Sequence, residues 1–351
     1  MSLSIVQIVR RFGPVGGMES YVWHLSQELV RLGCSVTVLC ENNESPTKDV
    51  NLKIVCLPRA RARPRWLALL KFSNRVAEYV ERHALSGSVI HSHERTSVHQ
   101  VTTFHGPPFA HIKNKPFWKL LSVRVWAHLW LEKREILGAQ VKAVIPNSAV
   151  IRDELLVFYP NVRSRFSLPI PPAVPAGIPI RAKGLADPGG GVIGFVGKEW
   201  KRKGLVRALE IFWELKRIRP NLKMLVVGVD PKSVRTLSAG RDLGIQAVGW
   251  KEATSFYQEM DLLLHPAIKE PFGMVVIEAM AAQVPVVISD RCGAREYVSE
   301  AHGEVLSLES GLDTWVQACE RQLNRTNPPP GFERGWDQVA REYLEVYKSL
   351  T

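Results

Sequence analysis

The strongest constraint on this chain is a rhythm that occurs twice. Short apolar segments alternate with longer amphipathic stretches, and a proline- and glycine-rich break separates the two runs. Such alternation is the signature of parallel α/β sheets, whose strands are buried on both faces. In the first run, 4–9, 35–40, 52–56, 88–91, 101–104 and 142–145 read as strands, and 17–32, 66–83, 116–137 and 148–158 as helices. Residues 168–179 (LPIPPAVPAGIP) and 187–191 (DPGGG) hold too much Pro and Gly to continue a helix or a central strand. The second run has strands at 192–196, 223–227, 246–248, 261–265 and 285–289, with helices at 205–217, near 233–242, 273–282 and near 312–323. After Pro328-Pro-Pro-Gly331, a last helix at 337–349 stands apart from the second run. The expected fold is α/β: two Rossmann-like, doubly wound domains facing a central cleft. The expected divisions are a first domain at 1–168, a linker at 169–191, a second domain at 192–330, and a closing helix within 331–351.

Size and composition agree. A single core stops growing at roughly 250–300 residues, and this chain has 351. With 46% hydrophobic and 23% charged residues it is neither fibrous nor largely disordered. No stretch approaches the ~18–20 uninterrupted apolar residues of a spanning helix. The start lacks the charged and long apolar regions of a secretory signal, and reads as a buried first strand. Five cysteines, odd in number and without a CxxC pair, fit a reducing cytoplasm.

The net charge of +12 is unevenly spread. Residues 1–170 hold 23 Lys plus Arg and 12 Asp plus Glu, whereas 171–351 hold 23 and 22. Two basic stretches in the first half are interleaved with large apolar residues. One is 59–75, with Arg59, Arg61, Arg63, Arg65, Lys71 and Arg75 among Trp66, Leu67, Leu69, Leu70 and Phe72. The other runs through Lys113, Lys115, Phe117, Trp118, Lys119, Arg124, Trp126 and Trp130. This mixture suits an anionic membrane surface, and a nucleic acid is the rival polyanion. If the apolar residues face a core, the charges are simply solvated.

Three segments carry candidate chemistry. Gly13-Pro-Val-Gly16-Gly17-Met-Glu19 joins the first strand to the first helix, where glycines let a ligand approach the backbone and a helix N-terminus favours anions. Its spacing is not GxGxxG, and a tight turn explains it equally well. Gly197-Lys198-Glu-Trp-Lys201-Arg202-Lys203-Gly204 occupies the matching place in the second run, with four cations in six positions between flanking glycines. That is a phosphate cradle. Glu270-Pro271-Phe272-Gly273-Met274-Val275-Val-Ile-Glu278 begins a helix at Pro271, putting Glu270 in the preceding loop and Glu278 within the helix. Each carboxylate suits a sugar or ribose diol, and the surrounding segment is strongly apolar.

The run 261–290 resembles the E-x7-E region of retaining glycosyltransferases of family 4. Other motifs fall in that family's order: Gly16-Gly17 with Glu19, His91-Ser-His93, Thr103-Phe-His105-Gly106, Pro146-Asn147-Ser148, Lys203-Gly204, and Gly293 with Glu296. Around 197–204 and 264–278 the likeness is greatest to lipopolysaccharide core hexosyltransferases of Gram-negative bacteria. The resemblance implies a GT-B architecture with the donor nucleotide on the second domain, the acceptor mainly on the first, and the closing helix at 331–351 packing back toward the first domain. It implies that Lys198 and Lys203, with Arg202, bind the donor diphosphate, that Glu278 holds the ribose, and that Glu270 holds the transferred sugar. It further implies that residues 271–275 line the donor site, that His105 approaches the sugar from the other domain, and that Gly16-Gly17 pack against the phosphates. His105, Glu270, Lys198 and Lys203 are the catalytic candidates. Three positions depart from the family pattern: Lys198 for the common Arg, Gln283 for a usual Gly, and Cys292 for the first of two glycines.

The implied reaction transfers a hexose or N-acetylhexosamine from a UDP-linked donor, with retention, to a glycolipid or polysaccharide acceptor at the inner face of the cytoplasmic membrane. No cofactor, metal or nucleic acid is expected. His91, His93, His99, His105 and His111 lack zinc-site spacing, and no G-x-S-x-G elbow supports a hydrolase. A nucleotide-sugar epimerase and a basic nucleic-acid-binding protein are the competing functions.

Overall fold

The computed structural model describes residues 3–46, 51–59, 63–181, 186–240, 244–250 and 254–350. The chain forms two compact units: Met1–Ala173 with Gly335–Thr351, and Val174–Arg334.

The first unit is built on a six-stranded, all-parallel sheet ordered Leu52–Cys56, Ser35–Cys40, Ser4–Ile8, Val89–Ser92, Val101–Phe104, Ala143–Pro146. Counted along the chain this is 3-2-1-4-5-6, the doubly wound Rossmann order. Helices Gly17–Arg31, Arg65–Arg82 and Val123–Leu137 lie between strands, and Ala149–Phe158 follows the last of them. Their buried faces, Val22, Leu25 and Leu29 on the first and Phe72 and Val76 on the second, cover the Ile and Val side chains of the sheet. The closing helix Trp336–Lys348 belongs to this unit, with Val339, Ala340, Tyr343 and Tyr347 fully buried in its core.

The second unit repeats the order, with Ile245–Gly249, Lys223–Val227, Val192–Val196, Leu262–His265, Val286–Ser289 and Gly303–Leu306, again all parallel. Its helices are Trp200–Lys203, Leu205–Ile218, Pro231–Leu237, Met274–Ala281 and Leu312–Leu323. No described helix of the chain is long and apolar enough to cross a membrane.

Three differences from the sequence reading have physical causes. The segment at 169–191 is divided between the units, because Ile170 and Ala173 are buried in the first core while Val174 and Ile178 pack on the second. The helix expected at 116–137 is two elements, a 3-10 turn Phe117–Leu121 and the helix from Val123, separated by extended Ser122. The last strand, Gly303–Leu306, escaped notice because it is short and half polar. Its Gly303 lies where an added Cβ would stand 1.9 Å from Val286 O, so glycine permits the close pairing. The helix expected near 233–242 is shorter, Pro231–Leu237 capped at Ser238, and residues 241 and 242 lie outside the described residues.

Candidate functional site

In each unit the strand order reverses between the first and fourth strands, and ligands of open α/β sheets bind beyond the carboxyl ends at such a point. In the second unit, loop 197–204 leaves the strand Val192–Val196 there, and the segment 266–273 leaves Leu262–His265.

The side chain of Lys203 runs across Gly197. An added Cβ there would lie 2.1 Å from Lys203 Cδ, so only a glycine lets this lysine take its path. Gly204, in the left-handed region with φ +80°, sits where a Cβ would be 2.0 Å from Pro266 O. The two glycines thus press the cationic loop onto the start of the 266–273 segment. There Lys203 Nζ lies 2.9 Å from Glu270 Oε2, and Arg202 reaches Glu270 Oε1 at 3.3 Å. His265, fully buried, brings Nε2 to 3.5 Å from the same carboxylate. Burial alone would raise the Glu270 carboxyl, but His265, Lys203 and Arg202 outweigh it and hold the group well below 4.5. Arg202 is held from its other side by Glu199, with Nη2 2.6 Å from Oε2, so two cations meet two carboxylates and the positive surplus of the 197–204 segment rests on Lys198 and Lys201.

Glu270 is itself clamped by the backbone. Its N–H donates to Arg291 O at 3.0 Å, its O accepts from Gly293 N at 3.0 Å, and Phe272 O accepts from Ala294 N at 2.7 Å. Cys292, at one of the departures from the family pattern, donates its thiol to Phe272 O at 3.1 Å, and burial pushes that thiol up to about 12. Its sulfur fills the space over Gly273, whose Cβ would lie 2.6 Å from Cys292 Sγ. Gln283, at another departure, has φ +59°. It is the left-handed residue of a Schellman motif closing the helix Met274–Ala281, with Val284 N donating to Ala279 O and Gln283 N to Met280 O. That conformation is why glycine is usual there.

Glu278 lies in the helix as expected, and the Tyr257 hydroxyl donates to its Oε2 at 2.6 Å. Burial raises the Glu278 carboxyl, and the Tyr257 hydrogen bond opposes the rise. Lys198 is exposed and stands apart from the cluster, its Nζ 4.7 Å from the centre of the Trp250 ring. Phe272 turns into the core beside Val276 and Ile288, so it supports the segment rather than lining a free surface, whereas Pro271, Met274 and Val275 are half-buried. His265, Tyr257 and the role of Gly197 were not anticipated. His265 stood in view inside the 261–290 run, but no pattern marks Tyr257, which lies in a 3-10 turn.

Gly16, Gly17 and His105 belong to the first unit. Gly16 is extended (φ −172°), and a Cβ on Gly17 would meet nothing within 4 Å. A Cβ on Gly16 would come 2.4 Å from Glu19 Oε2, a side-chain end that can move, whereas one on Gly13 would come 2.6 Å from the Glu44 backbone.

His105 ends a buried, neutral hydrogen-bond chain. Gln7 donates from Nε2 to Tyr347 Oη at 3.2 Å and faces His93 Nε2 with Oε1 at 2.9 Å. His93 Nε2 therefore carries the proton. Burial and then the neighbouring histidines push His93 well below its usual range, so the ring is neutral and its Nδ1 is the acceptor for His105 Nε2–H at 2.8 Å. Burial also pushes His105 down to about 3, leaving its Nδ1 as a bare lone pair. Tyr347 Oη in turn lies 2.6 Å from His91 Nδ1, and His91 Nε2 lies 2.8 Å from Thr103 Oγ1. The closing helix thus takes part in orienting His105. All four ring nitrogens of His91 and His93 are engaged, and no cluster of three or more His, Cys, Asp or Glu among the described residues is arranged to hold a metal ion.

The two basic-aromatic stretches separate. In 59–75, Leu69 and Phe72 are buried in the first unit's core, so this stretch is a solvated helix face, and Arg61 lies outside the described residues. In the second, Phe117, Trp118, Leu121, Val123 and Trp126 are each 61–77% exposed and Trp130 is 51% exposed. At ~100° per residue, Val123, Trp126 and Trp130 share one stripe of their helix, opposite its buried Glu132 and Ile136.

Residues 15–174 match the family model described as Glycosyltransferase Family 4, and residues 178–321 match Glycosyl transferases group 1. "Lipopolysaccharide glucosyltransferase WaaG" of Escherichia coli (strain K12) is 30% identical over 159 residues, which are 43% of this chain and 41% of that protein. "D-inositol 3-phosphate glycosyltransferase" of Corynebacterium urealyticum is 24% identical over an alignment covering 96% of this chain and 92% of the relative. The crystal structure of WaaG, a glycosyltransferase involved in lipopolysaccharide biosynthesis, superposes with a TM-score of 0.73 at 18% identity, covering 98% of this chain and 96% of that one. The fold is that of the GT-B glycosyltransferases.

Proposed function

Since this chain belongs to the glycosyltransferases of group 1 and family 4, we propose that it moves a hexose or N-acetylhexosamine from a UDP-linked donor to a hydroxyl of a glycolipid or polysaccharide acceptor, with retention of configuration. Lipopolysaccharide core is our reading of the acceptor, supported by the partial likeness to the Escherichia coli glucosyltransferase. The observation that carries the donor reading is the Lys203–Glu270–Arg202 cluster at the carboxyl end of the second sheet.

Breaking the bond from the anomeric carbon to the nucleoside diphosphate puts negative charge on the departing phosphate and positive charge on the sugar ring. Lys203 and Arg202, preorganised by Glu270 and Glu199, stabilise that phosphate electrostatically, and the exposed Lys198 adds a third cation. A charged Glu270 faces the ring as positive charge grows. Glu278 keeps Oε1 for a ribose hydroxyl while Tyr257 occupies Oε2. His105, neutral and with Nδ1 bare, accepts a hydrogen bond from a sugar hydroxyl in this reading. No residue is assigned as a covalent nucleophile, and no metal or other cofactor enters the scheme.

The proposal also sets the first unit on an anionic membrane surface at the cytoplasmic face. The exposed Trp118, Trp126 and Trp130 beside Lys113, Lys115 and Lys119 support this. Replacing the three tryptophans by serine is expected to abolish co-sedimentation with vesicles containing phosphatidylglycerol; equal binding by the variant would remove the membrane from the proposal.

The donor test is a melting series with UDP, GDP and ADP on the full chain. UDP is expected to raise Tm most, and Lys203→Ala to cancel the rise. A larger rise with GDP or ADP would reassign the base, and no rise with any of them would overturn the donor reading.

A further inference from the structure

Two of the five cysteines face each other on the first sheet. Strands Ser35–Cys40 and Leu52–Cys56 pair in parallel with Cys40 directly opposite Cys56, and the two sulfurs stand 3.9 Å apart. We propose that Cys40 and Cys56 form a modification site, a dithiol that hydroperoxides oxidise to a disulfide across the two strands and that thiol reductants restore. The inference goes beyond the transfer reaction and does not depend on it.

The register supplies the geometry. Neighbouring strands lie about 4.8 Å apart, and a disulfide needs Cα atoms ~4.4–6.8 Å apart with the two side chains turned toward each other. Partners in a parallel ladder meet that spacing, and the hydrogen bond from Leu57 N to Cys40 O at 2.7 Å holds the pairing to the strand ends. Closing the sulfurs from 3.9 Å to a bonding distance of ~2.05 Å is within reach of rotation about the two Cα–Cβ bonds.

Burial gives the two thiols different parts. Cys56 lies on the edge strand and is the exposed cysteine of the five, while Cys40 is fully buried. Burial and then the neighbouring Cys56 push the Cys40 thiol up, so the first oxidation falls on Cys56. Its thiolate takes the hydroxyl oxygen of the hydroperoxide as the O–O bond breaks, giving a sulfenic acid and an alcohol, or water from hydrogen peroxide. The Cys40 sulfur then attacks the Cys56 sulfur, the S–O bond breaks, and the hydroxide leaves as water with the Cys40 proton. Two thiols thereby lose two electrons and two protons, and the peroxide gains them. A lone exposed sulfenic acid is open to irreversible oxidation; a second sulfur at 3.9 Å intercepts it.

The bond reaches beyond the strand pair. Glu41 follows Cys40, its carboxylate pairs with Arg10 at 2.7 Å, and the N–H groups of Glu41 and Asn42 donate to Arg10 O at 2.9 and 3.1 Å. Asn42–Asn43 then pairs with Arg11–Phe12, and Glu44 N donates to Phe12 O at 2.7 Å. The segment that leaves Cys40 therefore holds the start of the Gly13–Gly17 loop, and a disulfide anchors that segment to the edge strand.

The test treats the full chain with hydrogen peroxide, alkylates the remaining thiols and maps the peptides by mass spectrometry. The expected product is two hydrogens lighter, has Cys40 joined to Cys56, and returns to the dithiol with dithiothreitol. Cys56→Ser, at an exposed position, is expected to keep the Tm of the reduced protein and to abolish the product. In Cys40→Ala, Cys56 is expected to gain oxygen atoms instead. The wild-type map decides the bond without either variant. A wild type in which Cys56 only gains oxygen, or joins Cys56 of a second copy, overturns the proposal, as does a product that dithiothreitol does not reverse. Hydrogen exchange then reads the reach of the bond: amides of 41–44 are expected to slow by ~3-fold or more on oxidation. Unchanged exchange there overturns the anchoring of the loop.

Discussion

The two units have the same strand order, yet they fill the same topological position with opposite chemistry. Beyond the second sheet stands an ionic cluster, Lys203 and Arg202 on Glu270 with His265 behind. Beyond the first stands a neutral chain of Gln7, His93, His105, Tyr347 and His91. The difference shows how each keeps its geometry. Ion pairs to Glu270 and Glu199 hold the first arrangement together, and Lys198 and Lys201 of the same segment supply the surplus for an anion. The second works only because burial keeps every imidazole neutral, so that each nitrogen has one defined role.

The largest expected effect follows from removing a cation of the second unit's cluster. Lys203→Ala is expected to lower kcat at saturating donor by ~10²–10³, the scale of losing one electrostatic stabiliser. Unchanged turnover would mean that the cluster is structural and that the two sites differ less than described.

Glycine substitutions probe the contrast next. Gly197→Ala forces a Cβ to 2.1 Å from Lys203 Cδ at φ +150°, whereas Gly17→Ala meets nothing within 4 Å. The first is expected to cost more than about 1 kcal/mol and to reduce turnover with it, and the second to stay within ~0.5 kcal/mol. Urea unfolding read beside donor turnover separates them; equal effects would erase the distinction between the loops.

Tyr347→Phe tests the neutral chain. It leaves Gln7 Nε2 and His91 Nδ1 buried without the hydroxyl they share, at a cost of ~1–3 kcal/mol. If the closing helix orients His105, turnover falls more than acceptor KM changes, and the ¹⁵N shifts of His93 and His105 move. Normal shifts with a lowered Tm would reduce Tyr347 to packing.

The smallest effect is in pH dependence, where the two sites have opposite signs. Glu270 is depressed below 4.5, so its contribution is complete above that pH and is lost as pH falls. Glu94 is raised to about 7, so the folded state holds its proton longer and stability declines as pH rises from 4.5 to about 7. Glu94→Gln is expected to flatten the neutral limb of a Tm–pH curve and Glu270→Gln the acid limb. A single shared limb would show that the groups do not titrate independently.

Much of this was legible in one dimension. Strands 35–40, 52–56, 101–104, 192–196 and 223–227 coincide with Ser35–Cys40, Leu52–Cys56, Val101–Phe104, Val192–Val196 and Lys223–Val227, because buried parallel strands are short, largely apolar segments rich in β-branched residues. Glu270 in a loop and Glu278 in a helix were legible, but the helix does not begin at Pro271: it starts at Met274, after Gly273 in the left-handed region at φ +102°. The two basic-aromatic stretches could not be told apart, since composition is blind to which side of a helix meets a core. Phe72 is buried and Trp126 is exposed although both sit among arginines. Gln283 marks the same limit: its left-handed backbone is a property of the helix end, not of glutamine.

By itself the sequence determined the doubly wound class, the two-domain division and the loops that carry cations and carboxylates, because periodicity, proline and glycine act over a few residues. Only the tertiary structure decided that Lys203 passes over Gly197 to reach Glu270, that Tyr257 occupies Glu278, and that a tyrosine at position 347 fixes a histidine at 105. Those relations join residues 6 to more than 240 positions apart, and their strength depends on burial, which is a property of the packed chain.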